Sequence, residues 1–133
     1  MFRIFTLIII FLFCVPACQF IDLKEPSDTQ AVVARVAARS VGQEIAETEY
    51  AGDVKWTCKR ILEIDATADA DDAYVGVLAT TLFQHLETSS VMEANIKDIM
   101  SLFDFQVHED TALYVMNLQM VAKAILEGVN YAK

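Results

Sequence analysis

Glycine and proline are scarce in this chain, four and two among 133 residues. The glycines (Gly42, Gly52, Gly76 and Gly128) stand singly, so no phosphate-cradling loop can be built from them. Three cysteines, Cys14, Cys18 and Cys58, are too few for a disulfide framework. His85 and His108 are the only histidines, and they sit outside any His-Glu-x-x-His arrangement of zinc ligands. Gly-x-Ser-x-Gly and Ser-x-x-Lys are both missing, which removes the common hydrolase signatures. Positive charge is short as well: ten Lys and Arg face nineteen Asp and Glu, for a net charge of −9. An acid excess of that size repels phosphate backbones and anionic lipid surfaces. No nucleic-acid partner is expected.

What the chain does have begins at its amino terminus. Arg3 precedes an apolar run from Ile4 to Phe13 broken only by Thr6. A short positive region followed by such a run is the order of a secretory signal. The run meets Val15-Pro16-Ala17-Cys18, where Pro16 interrupts the leader helix and Ala17 and Val15 suit a small-residue cleavage site. Removing residues 1–17 leaves 116 of the 133, enough for one domain with a core of its own.

Val15, Ala17 and Cys18 resemble the lipobox of bacterial lipoproteins, a class that also occurs in tailed phages and prophages; Pro16 departs from the small residue usual in its slot. The resemblance covers about the first twenty residues and does not extend to the folded part. It implies that Cys18 receives a diacylglycerol on sulfur and becomes the acylated mature terminus. Two acyl chains are enough for stable anchoring where one is not. Gln19 at the following position implies an outer-membrane lipoprotein facing the periplasm. Two alternatives stand beside this: cleavage without lipid, giving a periplasmic or secreted protein, or retention of the leader as an anchor helix.

The expected organisation is a signal peptide over 1–17, a lipidated Cys18 with a tether over 18–26, and a helical domain over 27–133. Ser27 with Gln30 reads as a capping box opening a helix that runs to about Glu47. Ala34, Ala38 and Gly42 lie four apart on one face of it, a ridge of small residues that lets another helix approach closely. That ridge packs inside the monomer or forms a homodimer seam. Gly52 is expected to stop this helix and Asp53 to cap a second, Val54 to Ile64, with Trp56, Ile61 and Leu62 as its large apolar residues. A third helix carries Tyr74, Val75, Leu78, Leu82 and Leu86 at helical spacing. Ser90 and Glu93 make a further capping box, opening a helix with Met92, Ile96, Ile99, Met100 and Phe103. The fifth, about Glu109 to Val129, is apolar on nearly every side except Asn117, Gln119 and Lys123, as befits the centre of a bundle. No sustained period-two alternation points to strands. The fold class expected is therefore all-α, a bundle of about five helices.

The acidic turn before the third helix is the one stretch that imitates a metal site. Asp65, Thr67, Asp69 and Asp71 copy the alternating oxygens that open a calcium loop. Ala70 stands where that loop needs Gly, however, and Gly76 where it needs a bidentate Glu; capping and the helix dipole explain the same acids. Neither a metal nor another cofactor is expected. Cys58 reads as a small buried apolar residue, His85 as bordering the packed face of its helix, and His108 as lying at the start of the last one. Apart from Met1, the methionines Met92, Met100, Met116 and Met120 fall on apolar stripes and read as core filling rather than as an adaptable groove. Together these features predict a non-enzymatic, lipid-anchored bundle that works through contacts with another envelope protein. A module holding a small apolar or cationic ligand against the fifth helix is the second reading, and a secreted enzyme the third.

Overall fold

The computed structural model describes residues 28–88 and 93–131. Cys18, the tether, Ser27, Ser90 and Met92 lie outside the described residues. Among the described residues five α-helices follow one another: α1 (Asp28–Ile45), α2 (Ala51–Leu62), α3 (Asp72–Thr88), α4 (Glu93–Met100) and α5 (Thr111–Tyr131), with a 3-10 turn at Ser101–Phe103. No strand occurs among the described residues. The protein is an all-α bundle, as the periodicities require.

α5 is its axis. It packs most extensively on α1, then on α2, and lightly on α3 and the 3-10 turn, while α4 closes against α1 and α3 against α2. Its length and composition would suit a membrane span, but Val115, Leu118, Val121, Ala122, Ala124, Ile125 and Val129 are all buried against neighbouring helices. Two polar side chains on α5 are satisfied inside the bundle. Asn117 Nδ2 donates to the Leu102 carbonyl at 3.1 Å. Gln119 Nε2 donates to the carbonyls of Ile61 and Ile64 at 3.2 and 2.6 Å, which closes the carboxyl end of α2, where helical carbonyls lack partners of their own.

The small-residue ridge explains how α1 meets α5. Ala34 and Ala38 are wholly buried and Gly42 lies in the same buried face. A Cβ built on Gly42 would overlap the Ile125 carbonyl oxygen, and one built on Gly128 would overlap the Arg39 carbonyl oxygen. The two backbones therefore touch without side chains between them. Of the two uses open to Ala34, Ala38 and Gly42, the structure shows the intramolecular one, with the ridge buried against α5. Its counterpart on α5, Ala124 with Gly128, has the same four-residue spacing.

Local rules set the other boundaries. Thr48 ends α1, its Oγ1 donating to the Ile45 carbonyl at 2.8 Å and accepting from the Tyr50 amide at 3.3 Å. Gly52 therefore stops nothing; it lies with Asp53 in the first turn of α2, which begins three residues earlier than expected. Asp53 is still favourably placed near the positive end of that helix. Asp71 Oδ1 accepts from the amides of Ala73 and Tyr74 at 3.1 and 3.3 Å, and Asp110 Oδ1 from Leu113 at 3.0 Å; these carboxylates cap α3 and α5. Gln30 reaches Ser101, donating to its carbonyl and hydroxyl oxygens at 3.1 Å each, and so ties α1 to the 3-10 turn.

Several residues expected inside are outside. The buried stripe of α2 is Val54, Thr57, Cys58 and Ile61, which turns Trp56 outward at 56% exposure and leaves Leu62 at 39%. Tyr74, Met100 and Met116 are exposed too, so the methionines do not share a buried stripe. Aromatic packing gathers elsewhere: Phe83, Phe103, Tyr114 and Phe105 form a chain of tilted and edge-on contacts with centroids 5.0–5.8 Å apart.

Substitution at the glycines separates contact from helix propensity. Gly42→Ala must push α1 from α5 and should destabilise by about 1–3 kcal/mol, the usual cost of overpacking. Gly76, inside α3, has nothing within 4 Å of a would-be Cβ, so Gly76→Ala should stabilise by up to about 1 kcal/mol. Urea unfolding of the two variants measures both signs; equal effects would refute the backbone contact.

Candidate functional site

A concavity runs along α5, between α1 and the end of α2. It encloses about 540 Å³ and is open to solvent along one side. Gln119, Met120, Lys123, Ala124 and Glu127 of α5 form its floor, Arg35 and Arg39 of α1 one wall and Leu62 of α2 the other. Helical spacing puts these groups together: Arg35 and Arg39 are four apart on the flank of α1 beside the buried ridge, and Lys123 and Glu127 are four apart on the exposed edge of α5.

Three cations meet one acid here. Arg39 Nη2 pairs with Glu127 Oε2 at 2.7 Å, with both side chains about half exposed. Arg35 Nη2 lies 3.9 Å from Met120 Sδ, a weak acceptor, and neither Arg35 nor Lys123 has an acidic partner among the described residues. The groove is thus a local positive site on an acidic molecule. Beyond the Arg39–Glu127 pair lies a more open hollow of about 790 Å³ with Gln43, Asn130 and Tyr131. Such an arrangement suits an anionic group, a carboxylate or phosphate held by guanidinium and ammonium donors, with Leu62, Met120 and Ala124 offering apolar contact.

The other sequence-derived candidates stay apart from this groove. Asp65 and Asp69 are exposed on the turn before α3, and Asp71 is engaged in capping. Among the described residues no three His, Cys, Asp or Glu side chains come together in a way that would hold a metal ion. His85 is half-buried, its ring 5.7 Å from that of Tyr50, at the border of the packed face, and His108 is exposed ahead of α5. Cys58 is wholly buried, and burial pushes its thiol up to about 12. Tyr114 is raised from its ordinary value by the same cause.

Sequence reasoning missed the groove because it requires two helix flanks to face each other. The pairs Arg35/Arg39 and Lys123/Glu127 were visible; their meeting was not. The one signal for it was the matching small-residue spacing at Ala38/Gly42 and Ala124/Gly128, which brings those flanks side by side. No protein-family model, no curated protein and no solved structure matches this chain.

The buried acids give a pH dependence with a definite sign. Cys58 and Tyr114 have folded pKa values above their unfolded ones, so their burial supports the fold fully below about pH 9 and that support is lost as pH rises toward about 12. Urea midpoints should fall from pH 8.5 to 11, and less steeply in a Cys58→Ala/Tyr114→Phe variant. In the native protein at pH 8 Cys58 should resist thiol reagents until urea is added; prompt labelling would contradict the burial.

Proposed function

We propose that the chain is an exported, lipid-anchored helical bundle that acts without catalysis, through contacts with another protein of the cell envelope, and that the cationic groove receives an acidic segment of that partner. Export and anchoring rest on the leader and on Val15, Ala17 and Cys18. The contact reading rests on one observation above the others. Arg35 and Lys123 face a solvent-open groove with no acid opposite them among the described residues, in a chain with nearly twice as many acids as bases. In such a protein, acids to neutralise two cations are plentiful, and leaving them exposed in a concavity favours a partner that brings its own. A partner with acidic residues beside an apolar one would use the charges for orientation and for rejecting wrong partners and Leu62 and Met120 for burial.

Two measurements test the two halves. The intact mass of the membrane-bound form should correspond to a chain beginning at Cys18 and heavier than its sequence by acyl groups; an unmodified mass or a retained Met1 ends the lipoprotein reading. A photo-crosslinking residue at Met120 should capture a partner peptide with acidic side chains in intact cells. Arg35→Glu with Lys123→Glu should reduce that capture about tenfold or more, as charge reversal at close pairs does. Capture unaffected by the reversal would overturn the role of the groove.

A further inference from the structure

A second surface stands apart from the groove, on the outer side of α2. Lys55, Lys59 and Arg60 against Asp53 make α2 the only helix of the five with a net positive charge, +2. On the same helix lies Trp56, the chain's one tryptophan, 56% exposed. Arg60 Cζ sits 5.3 Å from its ring centroid, a cation–π distance, and Arg60 also pairs with Glu63 at 3.1 Å. Residues two apart on a helix point to nearly opposite sides, so Arg60 and Leu62 diverge: Leu62 walls the groove, and Arg60 with Trp56 faces away from it. Asp53 and Glu63 are the acids of this outer side, one in the first turn of α2 and the other beyond its end.

From this we infer that the outer face of α2 rests on an anionic phospholipid bilayer, with the Trp56 indole at the headgroup level and Lys59 and Arg60 on the lipid phosphates. Tryptophan, apolar in body and carrying one N–H donor, prefers that boundary, and basic side chains on long stems reach phosphates while their stems stay apolar. The chain's acid excess repels an anionic surface at long range, but salt screens charge over about 8 Å. At contact the nearest face decides, and with Glu63 included this one, Lys55, Lys59 and Arg60 against Asp53 and Glu63, carries a net charge of +1 on an otherwise acidic chain. Position supports the bilayer over a protein partner. Cys18 and Asp28 are ten residues apart, a step that spans at most about 35 Å of extended chain. An anchor at Cys18 therefore keeps a lipid surface within reach of the bundle continuously. The inference rests on the exported, anchored reading for the nearness of that bilayer. With α2 beneath, the groove opens sideways, where an envelope partner can enter.

Trp56 is its own probe. The full-length chain, reconstituted through its apolar amino-terminal segment into vesicles of phosphatidylcholine alone or with phosphatidylglycerol, should show bluer Trp56 emission and stronger quenching by brominated lipid in the anionic vesicles. Lys59→Glu with Arg60→Glu, both exposed positions, should cut that quenching about fivefold or more, and high salt should act in the same direction. Lys59→Gln with Arg60→Gln, which adds no negative charge, should give an intermediate loss. Equal quenching in both vesicle types, none in either, or no response to charge reversal overturns the proposal. Trp56 is silent about acylation of Cys18 and about capture through Met120, so failure here is distinguishable from failure of the function proposed above.

Discussion

Helices in water-soluble bundles usually meet through interdigitated side chains at axial separations of about 8–10 Å, and α1 and α5 dispense with them where they cross. Gly42 lies against the backbone of Ile125 and Gly128 against that of Arg39 and Gln43, so each helix fits a gap that only the absence of a Cβ leaves. Everything else is arranged around that crossing. It fixes the flank of α1 that carries Arg35 and Arg39 beside the edge of α5 that carries Lys123 and Glu127. It also sets α5 deep enough for α2 to pack on its other side and for α3 to be held largely through α2.

The polar residues of α5 acquire their meaning from this placement. On a membrane-spanning helix Asn117 and Gln119 would be interruptions. In the bundle they donate to main-chain carbonyls of neighbouring elements, that of Leu102 in the 3-10 turn, that of Ile64 past the end of α2 and that of Ile61, which also accepts from the Ile64 amide. Gln119 thereby holds Leu62 at the groove wall, and a single side chain links the packing of α2 to the shape of the proposed binding surface. Lys123, the third polar residue of the run, is free to face solvent because Ala124 and Gly128 occupy the contact with α1.

Periodicity made the helices legible, and most of the core with them: Val75, Leu78, Leu82 and Leu86 of α3, and Ile61 of α2, are buried where the spacing puts them. Trp56 was not legible in the same way. Apolar character assigned it inward, but Val54, Cys58 and Ile61 define a narrow stripe that leaves it on the opposite side, and its size hides that it belongs to a basic surface. Gly52 misled for a related reason. Glycine ends helices often, yet here Thr48 had already closed α1 with its hydroxyl. The groove depends on which flank of α1 meets which edge of α5, a relation between segments some 85 residues apart that local patterns do not carry. What Cys18 and the leader imply is a matter of address and chemistry rather than of fold, and it remains independent of the bundle's geometry.

If the glycine-lined crossing is the structural heart of the protein, α1 and α5 should open together and last. Native-state hydrogen exchange resolved to single amides measures this directly. The account predicts that amides of α1 from Ala38 to Ile45 and of α5 from Leu118 to Ile125 exchange only through global unfolding, with equal free energies, while α4 and the amino-terminal turn of α3 exchange earlier. Early exchange of α1, with α2 and α5 still protected, would contradict it.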